Sequence, residues 1–217
     1  MALDLWAAAA GWYGLHGHLY MGALAAFNSM ARVRETLRKT ARPAEDPNER
    51  RYPGGQLASA RYSIAKRLYG TARADLLKKA LDDAKTAIRE GEDPLGSTLS
   101  VKAAIHRAMG DINLAVQDFE GVLRRREQAG KEAGPLGIAL SNLGYAYLYQ
   151  RRFWRGRELL EEGVRLLEKN DSRRGFVARA KNKLAVAYLL TGRPLRAYEE
   201  MREAQCIARD CGAFDQM

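Results

Sequence analysis

The chain has 217 residues, enough for one domain or a short repeat array with a real core. Apolar residues make up 47% and charged residues 29%, which excludes a disordered chain; Pro is scarce and Ala, Leu, Arg and Glu are abundant, which favours helix. The net charge of +10 is spread out, with 15 basic against 9 acidic residues in 1–90 and 21 against 17 in 91–217, so the plain reading is an Arg-rich solvated surface without a nucleic-acid-binding tail.

In chain order, residues 3–27 are apolar and long enough to span a bilayer. Asp4, His16, His18 and several glycines interrupt them, and no basic stretch precedes them as in a signal peptide. They read as two short buried helices within an N-terminal hairpin over 1–39, with Ala23, Phe27 and Met30 at small–large spacing, and no membrane contact is expected. His16 and His18 are two apart and point to different helix faces, so no metal site follows. Residues 40–55 carry three prolines and end in Gly54-Gly55, which reads as a linker loop. From 56 to 93 the pattern predicts a degenerate hairpin: a helix over 56–69, a turn at Gly70-Thr71, and a second helix with Leu77, Ala80, Leu81, Ala84 and Ile88 as its stripe.

Beyond 93 the chain repeats itself with a period of 41. Pro94-Leu95-Gly96 and Leu99-Ser100 return as Pro135-Leu136-Gly137 and Leu140-Ser141. The same shift aligns a small row (Ala103, Gly144, Ala185), a ring row (His106, Tyr147, Tyr188) and a turn row (Gly110, Arg151, Gly192). Past the turn come a second small row (Ala115, Gly156, Ala197), a large apolar row (Phe119, Leu160, Met201) and a closing row (Val122, Gly163, Ala204). Each unit (94–134, 135–175 and 176–217) is then a helix–turn–helix hairpin that cannot bury its face alone and must stack on a neighbour. His106 is read as a packing residue, and Gly156 and Gly163 as departures that loosen the middle hairpin.

The segment Leu140-Ser141-Asn142-Leu143-Gly144-Tyr145-Ala146-Tyr147, with Phe153 after its turn, resembles the tetratricopeptide repeat. So do Ala185 to Tyr188 with Gly192, Ala197 and Ala204, and Gly110 with Ala115 and Phe119. The long period is similar to the variants of kinesin light chains and of sensor domains in some bacterial regulators. The resemblance implies an all-α fold, a right-handed superhelical array of antiparallel hairpins (an α-solenoid), and a cytoplasmic binding scaffold with no catalytic turnover.

No phosphate loop, dinucleotide fingerprint, nucleophile elbow or metalloprotease motif is present, and neither catalytic residues nor a cofactor are expected. Cys206 and Cys211 fit neither a disulfide framework nor a zinc spacing. By the resemblance, ligands contact the exposed side of the first helices. That side would show Ser100, Ala104 and Arg107, then Ser141, Asn142, Tyr145, Leu148 and Tyr149, then Arg179, Asn182, Val186 and Leu189. Its aromatic, apolar and basic mixture suits a peptide with apolar anchors and a carboxylate or acidic residue. A second reading is a nucleic-acid-binding ridge of Arg124, Arg125 and Arg126, then Arg151, Arg152, Arg155 and Arg157, then Arg173 and Arg174 with Arg179, Lys181 and Lys183. A third is the sensor or effector subunit of a bacterial regulatory system. The C-terminal repeat, its last helix ending near Asp210, has no polar capping helix after it in the pattern and is a candidate for docking on a second copy or on a partner.

Overall fold

The computed structural model describes residues 53–210 apart from 92, 94, 131 and 170–173. The predicted N-terminal hairpin of 1–39 and most of the 40–55 loop lie outside the described residues. Eight helices and no strand are found among those described, and they fall into two compact units divided between Asp111 and Ile112.

The first unit holds α1 (Pro53–Ala65), α2 (Gly70–Arg89) and α3 (Ser97–Met109). Helix α1 begins at Pro53, so the last three residues of the expected loop are helical. Proline is tolerated there because an N–H in the first turn has no intrahelical carbonyl to pair with. Gly55 then lies against Thr98 of α3, where any Cβ would collide with the threonine side chain. The helix also stops early. The amides of Arg67 and Leu68 bond back to Ile64 and Ala65 in tightened turns, and the chain re-enters helix at Gly70 with φ +61°. The turn therefore occupies 66–69, not Gly70-Thr71.

Helix α2 buries Leu77, Ala80, Leu81, Ala84 and Ala87; Ile88, assigned to the stripe from its spacing, is only half-buried. An ion pair of 2.6 Å between Arg61 and Asp83 ties α1 to α2. Helix α3 is started by Asp93, a buried carboxylate whose two oxygens accept the amides of Thr98 (2.9 Å) and Leu99 (2.8 Å). These bonds satisfy two of the otherwise unpaired N-terminal amides.

The second unit holds α4 (Ile112–Gln128), α5 (Ala133–Tyr149), α6 (Phe153–Glu168), α7 (Arg174–Leu190) and α8 (Pro194–Asp210). Helix α4 buries Ala115, Val116, Phe119 and Val122 and packs on α5, where the Tyr147 hydroxyl donates to Glu120 at 2.8 Å. Burial raises the Tyr147 pKa, and the bond and charge of Glu120 raise it further. Helices α5 and α7 touch directly, and both are paired with α6. Leu148, Leu160, Val164 and Leu167 meet Val177, Leu184 and Ala187 in one core cluster. Each of these leucine and valine side chains, fully buried, contributes about 1.5–3 kcal/mol.

The turn row behaves as one structural position. Gly110, Arg151 and Gly192 take φ of 95°, 61° and 75°, all left-handed. Arg151 is the non-glycine exception and carries the Cβ strain of that region.

The glycines of the middle hairpin tighten it, against the expectation that they loosen it. A Cβ on Gly144 would stand 2.8 Å from the Gly156 carbonyl oxygen, and one on Gly156 would stand 2.7 Å from that of Gly144. Gly137 and Gly163 form the same reciprocal pair at 2.9 Å. The backbones of α5 and α6 are thus closer than any side chain at these four positions allows.

Candidate binding face

Helices α5 and α7, the first helices of successive repeats, lie side by side. Ile138, Asn142, Tyr145 and Tyr149 follow each other at helical spacing on α5, as do Phe176, Arg179, Lys183 and Val186 on α7. The middle of the face is a cleft of about 130 Å³ bordered by Ile138, Asn142, Phe176, Arg179 and Lys183, with Leu167 and Ala180 also lining it.

Its polar groups are held in place. Lys183 donates to the Asn142 Oδ1 at 2.7 Å across the two helices, and its ammonium stands 5.7 Å above the Tyr145 ring. Asn142 and Lys183 are 41 residues apart and occupy the same position in successive repeats. Tyr145 and Tyr149 meet edge to face at 5.3 Å, the favoured geometry of an aromatic pair. Arg179 lies over the Phe176 ring at 4.4 Å, and its Nε donates to the Gly175 carbonyl at 3.3 Å. Burial lowers the Arg179 pKa, yet a guanidinium stays charged at neutral pH. Among the described residues no carboxylate pairs with it. The face is therefore an aromatic and aliphatic surface around a partly desolvated cation.

The sequence-derived groove set divides on this geometry. Asn142, Tyr145, Tyr149 and Arg179 come together, with the half-buried Asn182 on the same helix as Arg179. Ser141 edges the cleft but is buried, its hydroxyl donating to the Gly137 carbonyl at 2.8 Å. Leu148 was expected on the groove side and belongs to the core at 5% exposure. Ser100 and Arg107 are half-buried on α3 of the first unit. That unit has a larger, open cleft of about 550 Å³ lined by Asp82, Lys85, Thr86, Ile88, Arg89 and Lys102, none of them an expected groove residue. Sequence reasoning missed Ile138 and Phe176 and put Lys183 on the basic ridge. The 41-residue shift carries Ile138 onto Arg179 and Asn142 onto Lys183, and would have placed Ile138 and Lys183 on this face, but it does not find Phe176.

The expected ridge separates into unlike sites. Arg124 and Arg125 lie near the end of α4. Arg152, before α6, stacks 5.7 Å over the Tyr147 ring. Arg155 pairs with Glu158 at 3.2 Å, and Arg157 pairs with Glu161 at 3.3 Å while covering Trp154. Lys181 is buried and reaches Glu168 (2.7 Å), Glu203 (2.8 Å) and Glu200 (3.1 Å). Burial alone would lower its pKa, but the three carboxylates outweigh it and hold the pKa well above the usual lysine value. Lys181 and Lys183 are two residues apart and so emerge on opposite sides of α7.

Among the described residues, no cluster of His, Cys, Asp or Glu is placed to hold a metal ion, and no helix is long and apolar enough to cross a membrane. Residues 95–129 match the Tetratricopeptide repeat family. Several solved structures are similar in fold. A Podosopora anserina protein with nearly identical TPR-like repeats, named for the kinesin light chain, is 18% identical with a TM-score of 0.61, covering 96% of each chain. The fold is a tetratricopeptide-type repeat array. BtubC (BKLC) from P. vanneervenii is 14% identical at a TM-score of 0.61, over 98% of this chain and 93% of its own. The apo form of RapI is 13% identical at 0.64, over 98% and 72%. At these identities the likeness to solved structures is one of fold. No curated protein matches the sequence.

Proposed function

We propose that the chain is a non-enzymatic scaffold that binds a protein or peptide partner on the α5–α7 face. The observation that carries this is Arg179, partly desolvated and stacked on Phe176, at the edge of a cleft shared with Lys183 and Asn142. A partly buried cation that no described carboxylate pairs with favours a ligand carboxylate, and Tyr145 and Tyr149 offer rigid area for an apolar anchor. The segment bound is therefore acidic or carboxylate-bearing with an apolar residue beside it. The reading as a basic nucleic-acid ridge is less favoured, because its cations are engaged separately: Arg152 stacks on Tyr147, Arg157 pairs with Glu161, and Lys181 is buried against three carboxylates.

Selection of a randomised peptide library on the purified chain tests this. Enriched peptides should combine a carboxylate with an apolar side chain, and Arg179→Ala or Tyr145→Ala should abolish enrichment while helical content stays the same. Enrichment indifferent to both substitutions would place the binding site elsewhere.

A further inference from the structure

The hairpin α7–α8 exposes the face that its predecessor buries. Leu148 and Leu160 of α5–α6 are 5% and 0% exposed, packed within their own hairpin and in one core cluster with Val177, Leu184 and Ala187 of α7. Forty-one residues on, Leu189 is 56% and Met201 42% exposed. Tyr198 and Leu195 extend the apolar surface along α8, Leu195 at 80% exposure. Helical spacing puts Tyr198, Met201 and Gln205 in the centre of this face and Leu195, Glu199, Arg202 and Cys206 along its outer flank.

We infer that this face is a two-fold interface with a second copy of the same chain, α8 against α8 in antiparallel register. The repeat itself indicates that a helix covers the face, since α7 does so one unit earlier. Charge selects the second copy. In an antiparallel pair of identical helices the same flank meets itself, and Glu199 of one copy then stands beside Arg202 of the other, twice over. Among the described residues Glu199 is held only by an exposed pair with Arg196 at 3.2 Å, which is readily exchanged. The same register sets Leu195 of one copy opposite Cys206 of the other. This surface is separate from the α5–α7 cleft, so the inference stands apart from the peptide-binding reading.

Sedimentation velocity on the full chain over a concentration series tests it. A dimer is expected, and Tyr198→Glu should give a monomer with an unchanged circular dichroism spectrum. Glu199→Arg or Arg202→Glu alone should each weaken the dimer, and the two together should restore it, which a merely structural effect would not do. In a Cys211→Ser background, Leu195→Cys should yield a disulfide-linked dimer through Cys206 under mild oxidation, and its Cys206→Ser derivative should not. A wild-type chain that stays monomeric at the highest attainable concentration overturns the inference. A dimer indifferent to Tyr198→Glu and to the charge exchange overturns it equally.

Discussion

The hairpins α5–α6 and α7–α8 share one register of the repeat and differ where their helices come closest. Gly137, Gly144, Gly156 and Gly163 in the first become Ala178, Ala185, Ala197 and Ala204 in the second, all four alanines buried. In the first, backbone faces backbone across the pairs Gly144–Gly156 and Gly137–Gly163; in the second, methyl groups fill the corresponding positions. One repeat sequence thus supports two kinds of contact, and the closer one sits directly beside the candidate face. Glycine is unfavourable in a helix by about 1 kcal/mol relative to alanine, so four of them in one hairpin imply a compensating gain from packing.

The largest expected effect comes from exchanging the two sets. Gly144→Ala or Gly156→Ala would drive a Cβ into a carbonyl oxygen that belongs to the neighbouring helix backbone and cannot swing away. Each should destabilise the chain by about 1–3 kcal/mol in urea unfolding, against a gain in helix propensity. Ala185→Gly and Ala197→Gly should cost about 1 kcal/mol each, the propensity term with little strain. If the two Gly→Ala variants prove more stable than wild type, the close-approach account of α5–α6 fails.

Next in size is Lys181→Met, which removes the cation from among Glu168, Glu200 and Glu203. Glu168 and Glu203 are about half exposed and Glu200 less so, so solvent limits the cost to about 1–2 kcal/mol. The loss should shrink at low pH, where the carboxylates protonate and cease to repel each other; thermal unfolding at neutral and acid pH measures it. An equal loss at both would mean that packing of the lysine stem dominates.

The turns give a smaller and opposite pair. Arg151→Gly should stabilise the chain by about 0.5–1 kcal/mol by relieving the left-handed strain, while Gly192→Ala should destabilise it by about 1 kcal/mol. Both are read by denaturant midpoint at constant m-value. The smallest effect is the alkaline limb of stability. Tyr147 and Tyr188 hold their protons longer when folded, through burial and through Glu120 and Glu161 respectively, and Lys181 holds its own longer as well. A raised folded pKa gives stability that is complete below the unfolded value and lost as pH rises through the folded one, so the melting temperature should fall above about pH 10. Tyr147→Phe should flatten that fall.

Much of this was legible in the sequence because the period is a physical constraint. The turn row at Gly110, Arg151 and Gly192, the buried ring at His106 and the end of α8 at Asp210 are where the repeat pattern puts them. The meaning of the glycines was not, because a glycine opposite a glycine signals close approach only once the two helices are paired in register. Lys181 was unreadable for a similar reason. Its three carboxylates come from two other helices, and one-dimensional clustering with Arg179 and Lys183 hid that it faces the other way. At α1, prolines and glycines signalled a loop, and packing of Gly55 on Thr98 overrode them.

The proposed function puts partners on the α5–α7 face and not along the arginines at the start of α6. Fluorescence anisotropy of one selected, labelled peptide, titrated against wild type, Arg179→Ala and Arg155→Ala, tests it most directly. The account predicts at least about a tenfold loss of affinity, or 1.4 kcal/mol, for Arg179→Ala and none for Arg155→Ala. Unchanged affinity for Arg179→Ala with a loss for Arg155→Ala would contradict it.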